Sequence, residues 1–224
     1  MTEDHAREEI CRVARSLFER GYAHATAGNV SVRLDDDAGG GFLITPTDAC
    51  LGFLEPARLA RIDGDGRQIG GDPASKTLAL HRRIYAAAGA FDPGTRAIIH
   101  THSTHAVALT LRRTDAELLA PITPYFVMKV GHVPVIPYAR PGAPQVADAV
   151  AACVTRYGEA GMPIRAVMLA RLGPTAWHAS PAAAMAVIEE LEATARLAML
   201  VDPPPAPLAA SDIDDLRRAF GARW

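Results

Sequence analysis

Three histidines lie within six residues, at positions 100, 102 and 105 of the segment AIIHTHSTHAVAL. The apolar run before them predicts a buried strand, and on a strand the side chains at i and i+2 share one face. His100 and His102 are therefore expected to converge, with Thr101 facing away. Two neighbouring imidazoles can bind one divalent cation, or they can pack as neutral core histidines or cap the helix that follows. His105, one turn into that helix, is predicted to have a structural role.

A second group of residues, suited to binding an anion, lies at the start of a predicted helix, SKTLALHRRIYAAAG. Ser75 is expected to cap this helix, and the free N–H groups of a helix N-terminus favour an anion. Lys76 adds a full positive charge, and only one other lysine, Lys129, is present among 23 basic residues. These features predict an anion site at Ser75 and Lys76, with a plain cap beside a solvated lysine as the alternative.

The composition limits the classes of protein to which the chain can belong. Its 224 residues are 49% hydrophobic and 21% charged, which is typical of a globular protein with one large domain or at most two small ones. The formal net charge of −2 gives no general attraction to nucleic acid or to an anionic membrane, and no apolar run is long enough to span a bilayer. Three scattered cysteines, Cys11, Cys50 and Cys153, argue against disulfides or a cysteine-based zinc site and favour a cytoplasmic protein.

Helix and strand patterns alternate along the whole chain without an internal repeat or a long linker. We therefore predict a single α/β domain over residues 1–224, in which helices cover a mixed or mainly antiparallel sheet and residues 202–224 form a tail with a short helix. The predicted helices cover residues 3–21, 75–89, 104–113, 144–158, 180–201 and 211–220. The predicted strands lie within residues 30–34, 42–46, 59–71, 96–103 and 165–179, and residues 124–144 are expected to be rich in β-structure.

Several motifs, taken in order, resemble the class II aldolase/adducin family over about residues 5–200. They are AGNVSVR, LITPTDACLG, GGDPASKTLALHRRIY, AIIHTHSTHAVAL, PYFVMKVGHVPVIPYARPG, GPTAW and AAAMAVIEELEATARL. Within the family, TDACLG, the SK pair and TPYFVMKVGHVPVIPYARPG are most similar to the branch of 3-oxo-tetronate 4-phosphate decarboxylases. Sugar-phosphate aldolases such as fuculose-phosphate aldolase are more distant relatives.

The resemblance implies a fold, an assembly and a reaction. The fold is a single-domain, three-layer α/β/α arrangement with a largely antiparallel central sheet, and the assembly is a homotetramer with active sites between subunits. The reaction is metal-assisted carbon–carbon cleavage of a small sugar-acid phosphate or related acid. In this reaction Zn²⁺ polarises the substrate's carbonyl or enediolate oxygen.

The resemblance also implies roles for particular residues. His100 and His102 occupy two metal-ligand positions of the family. Tyr138 lies where the aldolases have a tyrosine that reaches a neighbouring subunit's site and handles a proton, with an ordinary strand tyrosine as the alternative. Asp48 stands where the aldolases have a glycine, so its carboxylate is expected to crowd or repel a phosphate. The expected substrate- and phosphate-binding residues are Gly28, Asn29, Thr47, Asp48, Ser75 and Lys76.

Two residues depart from the family pattern at positions that carry chemistry. Thr77 stands where the family has a general acid/base glutamate, and a threonine hydroxyl can bind a ligand but cannot act as a carboxylate base. Leu172, in ARLGPTAW, stands where a third metal histidine precedes GP. Catalytic zinc usually has three protein ligands, and by sequence none of His178, His132 and His81 is well placed to replace the missing one.

These departures leave several interpretations open. The chain is a lyase with a rearranged metal site, a protein that binds a sugar phosphate without cleaving it, a scaffold like the adducin branch, or a different enzyme on the same fold. The paired histidines and the intact phosphate-side residues favour a small-molecule site over a scaffold. We therefore predict a metal-dependent lyase, either an aldolase or a decarboxylase, with a non-catalytic binding or scaffold member of the family as the alternative.

Overall fold

One mixed sheet forms the centre of the protein in the computed structural model, which describes residues 1–112 and 115–224. Within these residues the sheet has eight strands in the order β4-β3-β2-β1-β5-β8-β7-β6. The strands are β1 Asn29–Arg33, β2 Phe42–Ile44, β3 Ala60–Ile62, β4 Gln68–Gly70, β5 Ala97–His100, β6 Val135–Ile136, β7 Ala166–Leu169 and β8 Gly173–His178. The β6–β7 pair is parallel and the other pairs in the described chain are antiparallel, so the predicted largely antiparallel sheet is confirmed.

Helices cover both faces of this sheet. Within the described ranges they are α1 Glu3–Glu19, α2 Leu78–Gly89, α3 Thr104–Arg112, α4 Pro144–Glu159, α5 Pro181–Leu200 and α6 Ala210–Phe220. Helices α1, α3 and α5 pack on one face, where their apolar residues share a core with Val30, Val32 and Ile99. Helices α2 and α4 pack against each other on the opposite face, over Ile98 and Trp177. The predicted α/β/α layering is therefore confirmed.

The central strand β5 shows why the sequence folds in this way. All four of its residues are buried. Ile99 belongs to the core beneath α1, α3 and α5, whereas Ile98 belongs to the core beneath α2 and α4. A continuous apolar run is expected where both faces of a strand are covered. Because side chains alternate along a strand, His100 lies on the same face as Ile98, towards α2 and α4.

Residues 124–144 differ from the prediction of a β-rich segment. Phe126–Val130 form a short π-helical turn, and the strand is limited to Val135–Ile136. The side chains at positions 126, 127 and 130 are buried, so the apolar residues of this run serve a helical face. The prediction was wrong because a short apolar run does not distinguish a strand from a helix by periodicity alone.

Helix α2 begins three residues later than predicted. The N–H of Ser75 donates to Thr45 O at 3.2 Å, and the preceding residues form a β-bridge between Pro46 and Ala74. The chain is therefore still paired with the end of β2 at Ser75, and the helix starts at Leu78. Ser75 is not the N-cap residue, because this sheet-like pairing overrides the local capping preference.

The other helices follow their predicted positions closely. The helix predicted over residues 104–113 is observed as α3, and Arg113 lies outside the described residues. Ser180 caps α5 as its pattern suggests, since its side chain accepts a hydrogen bond from the N–H of Ala183. None of the helices in the described ranges combines the length and the hydropathy needed to cross a membrane.

The N-terminus of α3 is held by a carboxylate from α5. Glu192 accepts hydrogen bonds from the N–H groups of His105 and Ala106, at 2.8 and 2.9 Å, and from His105 Nδ1 at 2.8 Å. A negative charge at a helix N-terminus satisfies free N–H groups and interacts favourably with the helix dipole. His105 thus ties two helices together, in agreement with the structural role predicted for it.

We predict that Glu192→Ala lowers the free energy of unfolding by about 1–3 kcal/mol, because buried N–H groups lose their acceptor. Urea denaturation followed by circular dichroism measures the change. Glu8→Ala, at an exposed position of α1, is the matched control and should alter stability by less than about 0.5 kcal/mol. Equal stability of the Glu192 variant and the wild type would contradict the capping role.

Candidate active site

A cavity of about 250 Å³ opens at the end of β5 that carries His100. Its walls come from the loops before β1 and after β2, the start of α2, the segment before α4 and the turn between β7 and β8. The residues singled out from the sequence that line it are Gly28, Asn29, Thr47, Asp48, Ser75, Lys76, Thr77, His100, His102 and Leu172. The fold therefore gathers side chains from distant parts of the chain into one site.

The two predicted metal histidines form a close pair at this cavity. Their ring centroids are 5.1 Å apart, and the ring planes are inclined by 72°. Because β5 ends at His100, His102 reaches this position from the loop that follows rather than from the strand. The convergence expected from the i, i+2 spacing is therefore present, although the backbone that produces it is not regular strand.

Hydrogen bonding and burial leave His100 suited to binding a cation. Its Nδ1 lies 3.0 Å from Pro174 O, which can only accept, so Nδ1 carries the proton and Nε2 carries the lone pair. Burial lowers the pKa of His100 to about 3, and the neighbouring His102 adds to this effect. Burial also lowers the pKa of His102, and His24 contributes to that shift. Both rings are therefore neutral near pH 7, which is the form that binds metals.

Close backbone packing fixes the segment that carries the pair. Gly28 has a φ of +91°, and a Cβ atom there would lie 2.9 Å from His100 O. On the other side, a Cβ at Gly173 would lie 1.9 Å from Thr101 O and 3.0 Å from His102 Cα. Glycine is required at both positions because the flanking backbones approach the histidine segment too closely for a side chain. Leu172, which precedes Gly173, is thereby held at the cavity.

The Ser75–Thr77 segment forms another wall. Ser75 Oγ lies 2.8 Å from Thr77 Oγ1 and accepts a hydrogen bond from the N–H of Thr77 at 3.3 Å. The first turn of α2 continues this wall, because Ala79 and Leu80 line the cavity, while the N–H of Leu78 donates to Ser75 O at 3.1 Å. The Thr77 hydroxyl, which was expected at the acid/base position, is therefore held by its hydrogen bond with Ser75.

Asn29 provides an unpaired polar atom at the site. It is buried at the start of β1, opposite His100 in the strand register. Its Oδ1 has no hydrogen-bond partner among the residues that the structure describes. A buried acceptor without a donor is costly, and a ligand hydroxyl in the cavity would supply the missing donor.

The charged groups at the cavity are of both signs. Lys76 and Arg140 are positive, and Asp48 is negative. Asp48 has a φ of +55°, a left-handed conformation in which glycine, asparagine and aspartate are the most common residues. Arg140 was missed from the sequence, although it lies in the YARPG motif two residues after Tyr138.

Tyr138 does not line the cavity of its own chain. Its side chain is 64% exposed, whereas the adjacent Pro137 and Ala139 do line the cavity. The alternative of an ordinary half-buried strand tyrosine does not describe it, because Tyr138 lies beyond β6 and faces outwards. Its position leaves it free to contact another subunit.

Of the three histidines considered as replacement ligands, His132 and His178 are engaged elsewhere, and His81 has a buried Nε2 without a hydrogen-bond partner in the described chain. His81 is fully buried, with Nδ1 2.7 Å from Ser31 Oγ. His132 stacks on Trp224 at a centroid distance of 4.3 Å, and His178 lines a different cavity. Among the described residues, no three His, Cys, Asp or Glu side chains are already gathered as a metal-ligand set.

One further histidine near the pair was missed from the sequence. The ring of His24 lies edge-on to the ring of His102, with centroids 6.4 Å apart. His24 stands four residues before Gly28, on the loop that leads into β1. The signal that could have revealed it is this short distance from the AGNVS motif.

Comparison with known proteins agrees with the motifs. The model of the class II aldolase and adducin N-terminal domain matches residues 8–199. A 3-oxo-tetronate 4-phosphate decarboxylase of Cupriavidus necator is 48% identical over 230 aligned positions, which cover 100% of this chain and 99% of the relative. The structure of YgbL from Klebsiella pneumoniae is 40% identical, with a TM-score of 0.83 over 97% of this chain and 100% of that chain. An L-fuculose 1-phosphate aldolase, 23% identical, has a similar fold, with a TM-score of 0.80 over 97% and 96% of the two chains. This chain therefore belongs to the class II aldolase and adducin family.

Proposed function

We propose that the protein is a metal-dependent carbon–carbon lyase that decarboxylates a four-carbon 3-oxo sugar acid phosphate or a close analogue. The observation that carries the proposal is the cavity, whose walls include both the His100–His102 pair and the anion-binding segment at Ser75 and Lys76. A volume of about 250 Å³ suits a small metabolite. The decarboxylase of C. necator, similar over the whole chain, supports the same substrate class.

Loss of carbon dioxide from such a substrate depends on charge stabilisation. The C1–C2 bond breaks, its electron pair moves onto the 3-oxo oxygen as an enediolate, and C2 then takes up one proton. The chemistry that a bound divalent cation supplies is Lewis-acid stabilisation of this oxygen, and Zn²⁺ is the ion that histidine ligands favour. We assign its ligands to Nε2 of His100 and to the His102 ring, which fit the role because both are neutral and adjacent.

The opposite end of the cavity is suited to the phosphate. Lys76 supplies a positive charge, and the N–H groups at the start of α2 supply donors. The loop at Gly28, with its left-handed backbone, lines the cavity and can present backbone N–H groups to an anion. Asn29 Oδ1 can accept a hydrogen bond from a substrate hydroxyl. The negative charge of the Asp48 carboxylate disfavours the binding of highly charged anions at this end of the cavity.

A threonine at position 77 is compatible with decarboxylation. Aldol cleavage requires a base that removes a hydroxyl proton, whereas decarboxylation of a 3-oxo acid requires none. Thr77 Oγ1, bonded to Ser75, is left to orient the substrate. We assign the proton that C2 takes up to the phenol of Tyr138 of the partner subunit, since this side chain is exposed beside the cavity.

This assignment requires an oligomer, and we propose a homotetramer with its sites between subunits. The exposed Tyr138 between two cavity-lining residues supports an arrangement in which one subunit completes the site of the next. We also propose a cytoplasmic setting, which the free thiols of Cys11, Cys50 and Cys153 support.

A binding protein without turnover is the second candidate, and one observation favours it. Thr77 and Leu172 replace a carboxylate base and a metal-ligating imidazole, so both changes fall on positions that take part in the family's reaction. The residues proposed for the phosphate end are unaffected by these changes. Measurement of turnover therefore separates the two candidates.

We predict slow carbon dioxide release from 3-oxo-tetronate 4-phosphate by the wild type and a higher rate in the variant Thr77→Glu/Leu172→His. Because decarboxylation requires no base, the gain in carbon dioxide release should come from the added imidazole at position 172. The glutamate at position 77, as a positioned acid/base group, should instead raise aldehyde release by about 10²-fold or more. Carbon dioxide and aldehyde release from four-carbon and six-carbon sugar acid phosphates measures both reactions.

In the same assays, the single variants show which of the two substitutions changes each reaction. Thr77→Glu should raise aldehyde release more than carbon dioxide release, because only aldol cleavage needs the base. Robust wild-type turnover that the double variant abolishes would contradict the account given for Thr77 and Leu172. Absence of turnover in both proteins, with micromolar ligand binding, would favour the binding protein.

We predict that Lys76→Met raises KM for the phosphorylated substrate about 10-fold or more, because a charge-assisted contact to the phosphate is lost. Steady-state kinetics with the phosphorylated acid measures the change. Lys129→Met is the matched control, since Lys129 lines the other cavity and the chain has no further lysine. An equal KM in the Lys76 variant and the wild type would refute the anion site.

We predict a mass near four times that of the 23.8 kDa chain in light scattering. Tyr138→Phe should keep this mass and lower kcat by about 10²-fold, as expected for loss of a proton donor. Tyr157→Phe, at a tyrosine that bonds Glu117 away from the cavity, is the control and should keep kcat. A fully active monomer would exclude the role of Tyr138 across an interface.

A further inference from the structure

We propose that His24 is the third protein ligand of the metal and replaces the histidine missing at Leu172. This inference rests on the proposed metal-dependent function and names the residue that completes its site. The supporting observation is the position of the His24 ring, edge-on to His102 at a centroid distance of 6.4 Å. His102 is thus a ring neighbour of both His24 and His100.

The centroid distance of the His100–His102 pair matches that of two ligands on one tetrahedral ion, and that of the His24–His102 pair is slightly longer. With metal–nitrogen bonds of about 2.0–2.1 Å, two imidazoles on one tetrahedral ion have ring centroids roughly 5 Å apart. The His100–His102 pair, at 5.1 Å, already has this separation. To share the ion, His24 has to come about 1 Å closer to His102 and to within roughly 5 Å of His100, a movement that we assign to rotation of its side chain.

The surroundings of His24 leave it free to make this movement. Its side chain is exposed and makes no hydrogen bond within residues 1–112 and 115–224. Its backbone is fixed by a turn in which the N–H of Ala27 donates to His24 O at 2.9 Å. The turn holds Ala25 at a φ of +49°, a conformation that residues other than glycine rarely adopt. The loop therefore keeps an unusual backbone that presents His24 beside the pair.

Among the other described histidines, His81 is the main rival, because its buried Nε2 has no hydrogen-bond partner in the described chain and it helps to lower the pKa of His100. It is held within α2 by the contact of its Nδ1 with Ser31, whereas the exposed His24 side chain can move. His105 has its Nδ1 atom bonded to Glu192. His132 is stacked on Trp224, His178 lines the other cavity, and His5 is on α1. The ligand that the family takes from the β7–β8 turn therefore comes, in this chain, from the loop before β1.

Cobalt and zinc binding test the proposal without reference to activity. Co²⁺ is titrated into apo-protein while its visible absorption is recorded, and Zn²⁺ affinity is then measured by competition. His24→Ala should weaken Zn²⁺ binding by at least about 10-fold, since even partners that only support metal ligands are worth 10–100-fold. It should also reduce the intensity of the tetrahedral cobalt bands. His5→Ala, at an exposed histidine away from the cavity, is the control and should match the wild type.

A rescue variant separates loss of a ligand from general damage. In the His24→Ala background, Leu172→His should restore Zn²⁺ affinity to near the wild-type value, because it returns a third imidazole beside His102. Equal affinity of wild type and His24→Ala, or a wild type that binds neither metal, would overturn the proposal.

The outcome for His24 is distinguishable from that of the proposed function. Carbon dioxide release with metal binding that is independent of His24 would refute the ligand and keep the lyase. Binding that depends on His24, without turnover on any of the acids, would keep the ligand and refute the lyase.

Discussion

The close packing of backbone on both sides of the His100–His102 segment is the constraint on which the site depends. The loop entering β1 passes so near His100 O that only glycine fits at Gly28, and the start of β8 passes so near Thr101 that only glycine fits at Gly173. The same two contacts bring Asn29 and Leu172 to the cavity. One segment of backbone thus sets the positions of the histidine pair, the proposed anion loop and the altered third-ligand position together.

Much of the fold could be predicted because its signals are local and periodic. The apolar run at β5, the helical spacing of α1 and α5 and the Ser180 cap all follow rules that operate within a few residues. The histidine pair was predictable for the same reason, since two residues at i and i+2 remain neighbours whether or not the strand continues through them.

The remaining features depend on contacts between distant segments, so the sequence alone could not specify them. Ser75 fits the pattern of a helix cap, but the carbonyl of Thr45 holds it in the sheet. The apolar run at 126–130 fits a strand, but it forms a π-helical turn against the core. His24 was missed because it becomes a neighbour of His102 only through the pairing of β1 with β5. The function-bearing motifs were recognisable as family patterns, whereas the physical partners of each residue were not.

The division of the interior into separate cores on the two faces of the sheet has a consequence for how such a protein can diverge. The larger core lies beneath α1, α3 and α5, and the cavity is on the opposite face, at the margin of the core formed by α2 and α4. Leu172 only packs against the edge of that second core, and Thr77 contributes to none of the buried apolar clusters in the described chain. Substitutions at Thr77 and Leu172 therefore have little effect on the core packing that stabilises the fold. A lineage with this architecture can exchange one ligand or base for another, one substitution at a time, while every intermediate remains a stable protein on which selection can act.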